Sequence, residues 1–419
     1  MFLFTYGHGD RRRFRCSFHY LWAALLLSGY VSTVSAQESL TLTEATRRTL
    51  THYPELQVFQ WRFQALEAMR DTAQLTPAYE LGFEAENIGG SGNFSGTDNM
   101  ELTLSLSSVI ELGGKRESRV AVADSRYALA QAEREAKALD SLGLVTQRFI
   151  ATLTLQEKLA VSIEATQLAE QTYQLTSERV QRGAAPEAER LRAQAAVKQS
   201  RMRQAALAAE LKSRKFALAS LWKAEQHDFD TVSGDLFQLE EPAAFDVLYK
   251  RVAASPAITV YASEERLRDA EVSLARSQST SNVQWSLGVR RFEDPGDSAF
   301  TAGVSVPLFS GRRNRGEVQS ALAEREMVRY RRESALLDIR ARLFEAWQTY
   351  QQSAAAARQI RNEVIPALEQ ALGQTRQAYE RGRYSYVDWV SVQRELLDAR
   401  LAAIDAASTA LFNQALIEQ

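Results

Sequence analysis

Cysteine, histidine and proline are all scarce in this sequence, and each scarcity removes a class of chemistry. The one cysteine, Cys16, precedes the apolar run near the N-terminus. No disulfide can form within the chain, and no thiolate metal site or redox pair is available. A lipoprotein cysteine would follow that run, so no lipid anchor is expected. Beyond residue 36 the histidines are His52 and His227, far apart and outside any spaced cluster. Met69, Met100, Met202 and Met327 are scattered. No metal site and no cofactor is therefore expected. A phosphate-cradling P-loop is missing. Ser310-Gly311 lacks the flanking glycines of a nucleophile elbow. The chain is not read as an enzyme, and His227 with Asp228 and Asp230 is read as a linker loop. Excess charge is missing as well: the formal net charge is −2, with no basic run beyond the N-terminus. No nucleic acid partner is expected. No segment after the N-terminus has enough consecutive apolar residues for a membrane-spanning helix. A chain that reaches a membrane in this way must do so as β-strands.

The N-terminus points to export. Arg11, Arg12, Arg13 and Arg15 precede an apolar stretch from Leu21 to Val34, and Val34-Ser35-Ala36 places small residues before Gln37. That order is a signal peptide over residues 1–36.

The rest repeats itself, with a first repeat at 37–242 and a second at 243–419. Pro54 answers to Pro256, Gly114 to Gly311 and Gly183 to Gly382, at offsets of 202, 197 and 199 residues. Each repeat reads as short helix, strand, loop, strand, very long helix, tight turn, helix. Strands are expected at about 79–87, 100–110, 282–292 and 299–308. Leu81, Phe83 and Ala85 alternate with Gly82, Glu84 and Glu86, and Trp285, Leu287 and Val289 alternate with Ser286, Gly288 and Arg290. A period of two with one apolar and one polar face marks such strands, at the length of a transmembrane β-strand. A soluble sheet packed on helices fits the same alternation.

Two helices are expected from about Lys115 to Gln181 and from about Arg312 to Glu380. Each would be about 100 Å long at ~1.5 Å per residue. The second carries a seven-residue spacing through Leu336, Leu343, Tyr350, Ala357 and Val364, filled by Ile339, Ala346, Ser353 and Ile360. That is a coiled-coil seam, which Pro366 is expected to bend or loosen. Gly113, Gly114 and Gly311 stand where strand becomes helix, a switch that glycine dihedrals permit. Pro307 suits a strand end. Gly183 and Gly382 are expected as left-handed caps at the hairpin tips. Four strands cannot close a barrel, since bacterial barrels have at least eight. Three copies would supply twelve. The fold class is mainly α with a transmembrane β part, a duplicated β-β-long-helix repeat.

Leu40-Thr41-Leu42-Thr43-Glu44-Ala45 with His52-Tyr53-Pro54-Glu55-Leu56, Val306-Pro307-Leu308-Phe309-Ser310-Gly311, and Tyr379-Glu380-Arg381-Gly382 with Val387-Asp388, Gln393-Arg394 and Arg400 come in this order along the chain. On these motifs the mature chain resembles the TolC family of outer-membrane efflux proteins along almost its whole length. Ile110-Glu111-Leu112-Gly113-Gly114-Lys115-Arg116 is similar to the CzcC-like, cation-exporting branch. The resemblance implies a homotrimer with a 12-stranded outer-membrane β-barrel in lipid, continued by a periplasmic α-helical barrel. It further implies docking to a periplasmic adaptor (membrane fusion) protein and an inner-membrane resistance-nodulation-division transporter. Carried over by motif, the periplasmic gate falls on Tyr379, Asp388 and Glu189, with solvated helix ends as the other reading of the two acids. An exported coiled-coil adaptor or structural protein without a pore is the alternative, and it has no use for a lipid-facing strand band.

Overall fold

The computed structural model describes residues 39–418, so the expected signal peptide lies outside the described residues. The first half comprises β1 (Ser39–Thr41), α1 (Leu42–His52), α2 (Pro54–Gln74), β2 (Glu80–Glu86), β3 (Glu101–Ile110), α3 (Lys115–Gln181) and α4 (Glu187–Ala219). The second comprises β4 (Thr231–Ser233), α5 (Phe245–Ala253), α6 (Pro256–Ser277), β5 (Val283–Phe292), β6 (Ser298–Ser305), α7 (Ser310–Arg313), α8 (Arg315–Gln359), a π-helical turn (Ile360–Val364), α9 (Ile365–Glu380) and α10 (Tyr386–Glu418). Pro54 and Pro256 open α2 and α6 at the first helical position, where a missing N–H costs nothing.

The four longer strands form one antiparallel sheet in the order β2-β3-β5-β6. Its register stacks Leu81, Leu106, Leu287 and Ala302 in one row, and Phe83, Leu104, Val289 and Phe300 in the next. Among the described residues nothing covers this face: Phe83 is 71% exposed and Phe300 93%. So large an apolar surface marks contact with lipid or another apolar partner. The opposite face is small and polar, with Arg290 held 2.8 Å from both Glu86 and Glu101. β6 stops at Ser305 because Pro307 has no N–H for the ladder.

The helices repeat the strand order. α2 packs on α3, α3 on α6, and α6 on α8, while α4 and α10 return along α3 and α8. Midway, β1 pairs in parallel with β4, and the segment joining the halves folds back to bury Trp222, Phe229 and Leu236 against α1 and α3. In that loop Arg48 holds Asp228 at 2.6 Å, and the His227 ring nitrogen sits 3.1 Å from the Phe229 carbonyl. Among the described residues no group of three or more metal-ligating side chains is placed to hold an ion. No helix there is long and apolar enough to cross a membrane.

Two sequence expectations need correction. The second long helix is interrupted at Asn314 and again by the π-turn at 360–364. Leu343, Tyr350 and Ala357 are buried as the seam requires, yet Val364 is 40% exposed. A π-turn adds one residue to the helix. The seam therefore jumps to Ile365 and resumes its spacing through Leu372 to the buried Tyr379. Pro366 explains the position, since its ring cannot follow an ordinary helical turn.

The second correction concerns the junctions. Gly113 and Gly114 both have left-handed backbones, and a Cβ on Gly113 would lie 2.7 Å from the Thr280 hydroxyl. Gly311 does not play that part. The left-handed residue at the second junction is Phe309, with φ 63°, and Gly311 lies inside α7. Holding a phenylalanine there costs roughly 1–2 kcal/mol. Hydrogen bonds from the Ser281 hydroxyl to the Pro307 carbonyl (2.6 Å) and between the Ser281 and Ser310 hydroxyls (2.8 Å) brace it. At the first junction Lys115 is buried, donating to the Thr280 carbonyl at 2.6 Å and to the Asn282 side chain.

Candidate functional site

The hairpin tips farthest from the sheet bring polar and aromatic side chains together. Both tips close alike. Gly183 donates to the Val180 carbonyl at 2.9 Å and Ala184 to Arg179 at 2.8 Å; Gly382 donates to Tyr379 at 2.9 Å and Arg383 to Ala378 at 2.8 Å. These are Schellman turns, and the left-handed glycines make them possible.

Tyr379 and Glu189 come together. The Tyr379 hydroxyl donates to Glu189 Oε2 at 3.2 Å, bridging the two hairpins of one chain. Tyr379 is 1% exposed, and its ring stacks on Trp389 at 4.9 Å. Burial, and after it the charge of Glu189, pushes the Tyr379 hydroxyl above the usual tyrosine range. Burial does the same to Tyr386. Asp388 does not join the pair. It accepts from the Ser385 backbone at 3.0 Å and from the Ser385 hydroxyl at 2.7 Å, while its own N–H donates back to that hydroxyl at 3.2 Å. This is a capping box for α10. The Ser385 hydrogen bonds hold the Asp388 carboxyl below the usual range. Glu187 at the first tip is lowered likewise by Arg190.

Motif reading missed the group that joins the tips. Arg179 lies 4.4 Å from the centre of the Tyr379 ring, donates to the Tyr379 carbonyl, and donates to the Ala184 carbonyl at 3.2 Å. One guanidinium thus grips both turns. Trp389 is 2% exposed, and among the described residues its indole N–H finds no partner. The spacing of Tyr386, Trp389, Gln393 and Leu396 is a seam that a helical reading of α10 would have found. Farther up, Gln393 donates to Thr172 at 3.0 Å, and Arg400 pairs with Glu164 and, at 2.8 Å, with Glu369. The arrangement has no nucleophile–base pair. It can hold two helical hairpins together through contacts that are individually breakable.

Comparison with known proteins places this geometry. The profile of the family described as outer membrane efflux protein matches residues 45–223 and 247–418, on either side of the joining segment. The cobalt-zinc-cadmium resistance protein CzcC of Cupriavidus metallidurans is 27% identical over 292 residues, 70% of each chain. The nickel and cobalt resistance protein CnrC of the same organism is 32% identical over 60% of each. Among solved structures, CusC superposes with a TM-score of 0.73 at 16% identity, covering 90% of each chain. The outer membrane protein VceC of Vibrio cholerae gives 0.69 at 21% identity, covering 90% of this chain and 95% of its own.

Proposed function

The chain belongs to the outer membrane efflux protein family, and from that premise we propose that three copies form the exit duct of a tripartite pump that exports heavy-metal cations. The observation that carries the trimer is a pair of matched edges. Among the described residues β2 and β6 end the sheet without further partners. α2 and α8 end the helical layer in the same order and carry exposed Val58, Trp61 and Met69 on one side, Met327, Tyr330, Leu337 and Phe344 on the other. An open edge in lipid is very costly. Head-to-tail closure, β6 on β2 and α8 on α2, would pair every strand and cover both helical edges. Three copies give a twelve-stranded barrel continued by a helical barrel.

In this reading residues 1–36 are removed on export, and the repeats 37–242 and 243–419 are the units of the duct. An adaptor and an inner-membrane transporter supply the energy. The cation substrate is inferred from the resistance functions named for the two relatives. The gate is assigned to Tyr379 and Glu189, with Asp388 stiffening the second tip through its cap. A pore-less adaptor gains nothing from the exposed face of Phe83 and Phe300.

The test is conductance of the detergent-extracted protein in planar bilayers. Wild type is expected as a trimer of low conductance, with Tyr379→Phe, Asp388→Ala and Glu189→Ala raising it while the trimer persists. A stable monomer soluble without detergent overturns the duct. Unchanged conductance in all variants overturns the gate assignment. Loss of the gene is expected to sensitise cells to cobalt, zinc or cadmium; unchanged tolerance of all three overturns the substrate.

A further inference from the structure

Four arginines sit where the sheet gives way to the helices, and most of them have no partner. Arg312, Arg313 and Arg315 are exposed just beyond the end of β6. Among the described residues no carboxylate lies in ion-pair range of these three. Arg116, at the matching place in the first repeat, has its sequence neighbour Glu117 at 3.4 Å. The other nearby charges are already used. Glu111 is bound by Arg119, and Lys115 is buried on the Thr280 carbonyl. Glu317 is the nearest exposed acid in sequence to the three, too few to balance them.

The same level carries an exposed apolar collar. Leu112, Val306 and Leu308 are exposed, and Phe309 is 78% exposed on a left-handed backbone. A ring of apolar and aromatic side chains with unpaired guanidinium groups immediately beyond it matches a boundary between acyl chains and phosphates. Arginine forks suit phosphate oxygens.

The geometry points to a lipid-binding rim: Arg116, Arg312, Arg313 and Arg315, below the collar of Leu112, Leu308 and Phe309, hold anionic phospholipid headgroups of the leaflet facing the helical barrel. This rests on the reading of the sheet as part of a barrel embedded in lipid. The strained Phe309 then has a use, since it turns an aromatic ring into the interface and brings the arginines next to it in sequence to the same depth. The apolar face of the sheet fixes where the bilayer lies, and the arginines fix which headgroups gather at its lower edge.

The experiment uses the full trimer in nanodiscs of phosphatidylethanolamine with a minority of phosphatidylglycerol, with retained lipid measured by mass spectrometry after mild detergent extraction. Each arginine near an anionic surface contributes about a fivefold preference. Wild type is expected to retain phosphatidylglycerol at least about fivefold above its bulk ratio. Arg312→Ala/Arg313→Ala/Arg315→Ala leaves Arg116 as the one rim arginine and is expected to lose most of the enrichment, and the matching lysine variant to keep most of it. Should the triple variant fail to assemble, Arg313→Gln and Arg315→Gln are each expected to lower retention singly. Retention equal in wild type and the neutral variants overturns the rim. Conductance on the same preparations separates the two readings, because a wild type that makes no pore defeats the duct whatever lipid it retains.

Discussion

The two hairpins close through the same pair of backbone hydrogen bonds around a left-handed glycine, yet they reach that turn differently. α3 runs 67 residues to Gln181 without interruption. The corresponding stretch of the second half breaks at Asn314, passes through a π-turn and only then reaches Glu380. Past the turn, α4 begins at Glu187 behind Pro186, which gives no side-chain cap, whereas α10 is locked by the Ser385–Asp388 box. The first tip contributes charge, Arg179 and Glu189; the second contributes aromatic surface, Tyr379, Tyr386 and Trp389. Duplication has kept the backbone turn and divided the chemistry. One hairpin rises on an unbroken helix, and the other carries a π-turn where its seam gains a residue.

Trp389→Ala is the largest expected breach of that division. It removes a fully packed indole from beside Tyr379, a change that costs about 3–5 kcal/mol in a closed core. Arg190 stands at the same distance past its glycine, on an exposed pair with Glu187. Arg190→Ala is expected to do little. The measurement is the rate of protease clipping at 183–186 and 382–385. Equal sensitivity of the two variants would make the tips equivalent ends.

Deleting Asn362 tests the adjustable helix and is expected to act less strongly. One residue fewer restores an unbroken seven-residue spacing from Leu343 to Tyr379. The π-turn is then expected to vanish, returning ordinary helical bonds worth about 1 kcal/mol, or roughly fivefold slower amide exchange near Ile360. Pro366→Ala leaves the extra residue in place and is expected to change exchange far less. If both variants behave alike, proline rather than seam register sets the interruption.

How much of this was legible in the sequence follows from which interactions are local. The alternating strands, the helix preceding Gly183 and the two tip glycines depend on near neighbours, and period and turn chemistry reveal them. The π-turn was hidden because heptad counting assumes an unbroken repeat, and Val364 fits that count while facing solvent. The role given to Gly311 failed for a related reason: residue type suggested a left-handed site that the chain gives to Phe309 two residues earlier. Arg179 was invisible because its partners, the Tyr379 ring and the Ala184 carbonyl, meet only when the hairpins pack. Asp388 was visible as an acid after a glycine, and its neighbour Ser385 three residues earlier was the sign that it caps a helix.

Titration gives the smallest and most selective test, because the two tips differ on the alkaline side and agree on the acid side. Tyr379 and Tyr386 have hydroxyls raised by burial. A raised folded-state pKa contributes stability that is fully present below the ordinary tyrosine value near 10 and is lost as pH rises through the folded value. Alkali is therefore expected to loosen the second tip first, seen as clipping at 382–385 before 183–186, and Tyr379→Phe is expected to flatten that rise. Glu187 and Asp388 are both lowered, by Arg190 and by Ser385 respectively. Their contribution is present above the ordinary carboxylate range and is lost as pH falls through the lowered folded values. Acid is thus expected to soften both tips together, and Asp388→Asn to remove the acid response of the second alone. An alkaline transition that strikes both tips equally and ignores Tyr379→Phe would mean that the aromatic cluster does not hold the second hairpin, and that the division of chemistry between the halves has no mechanical consequence.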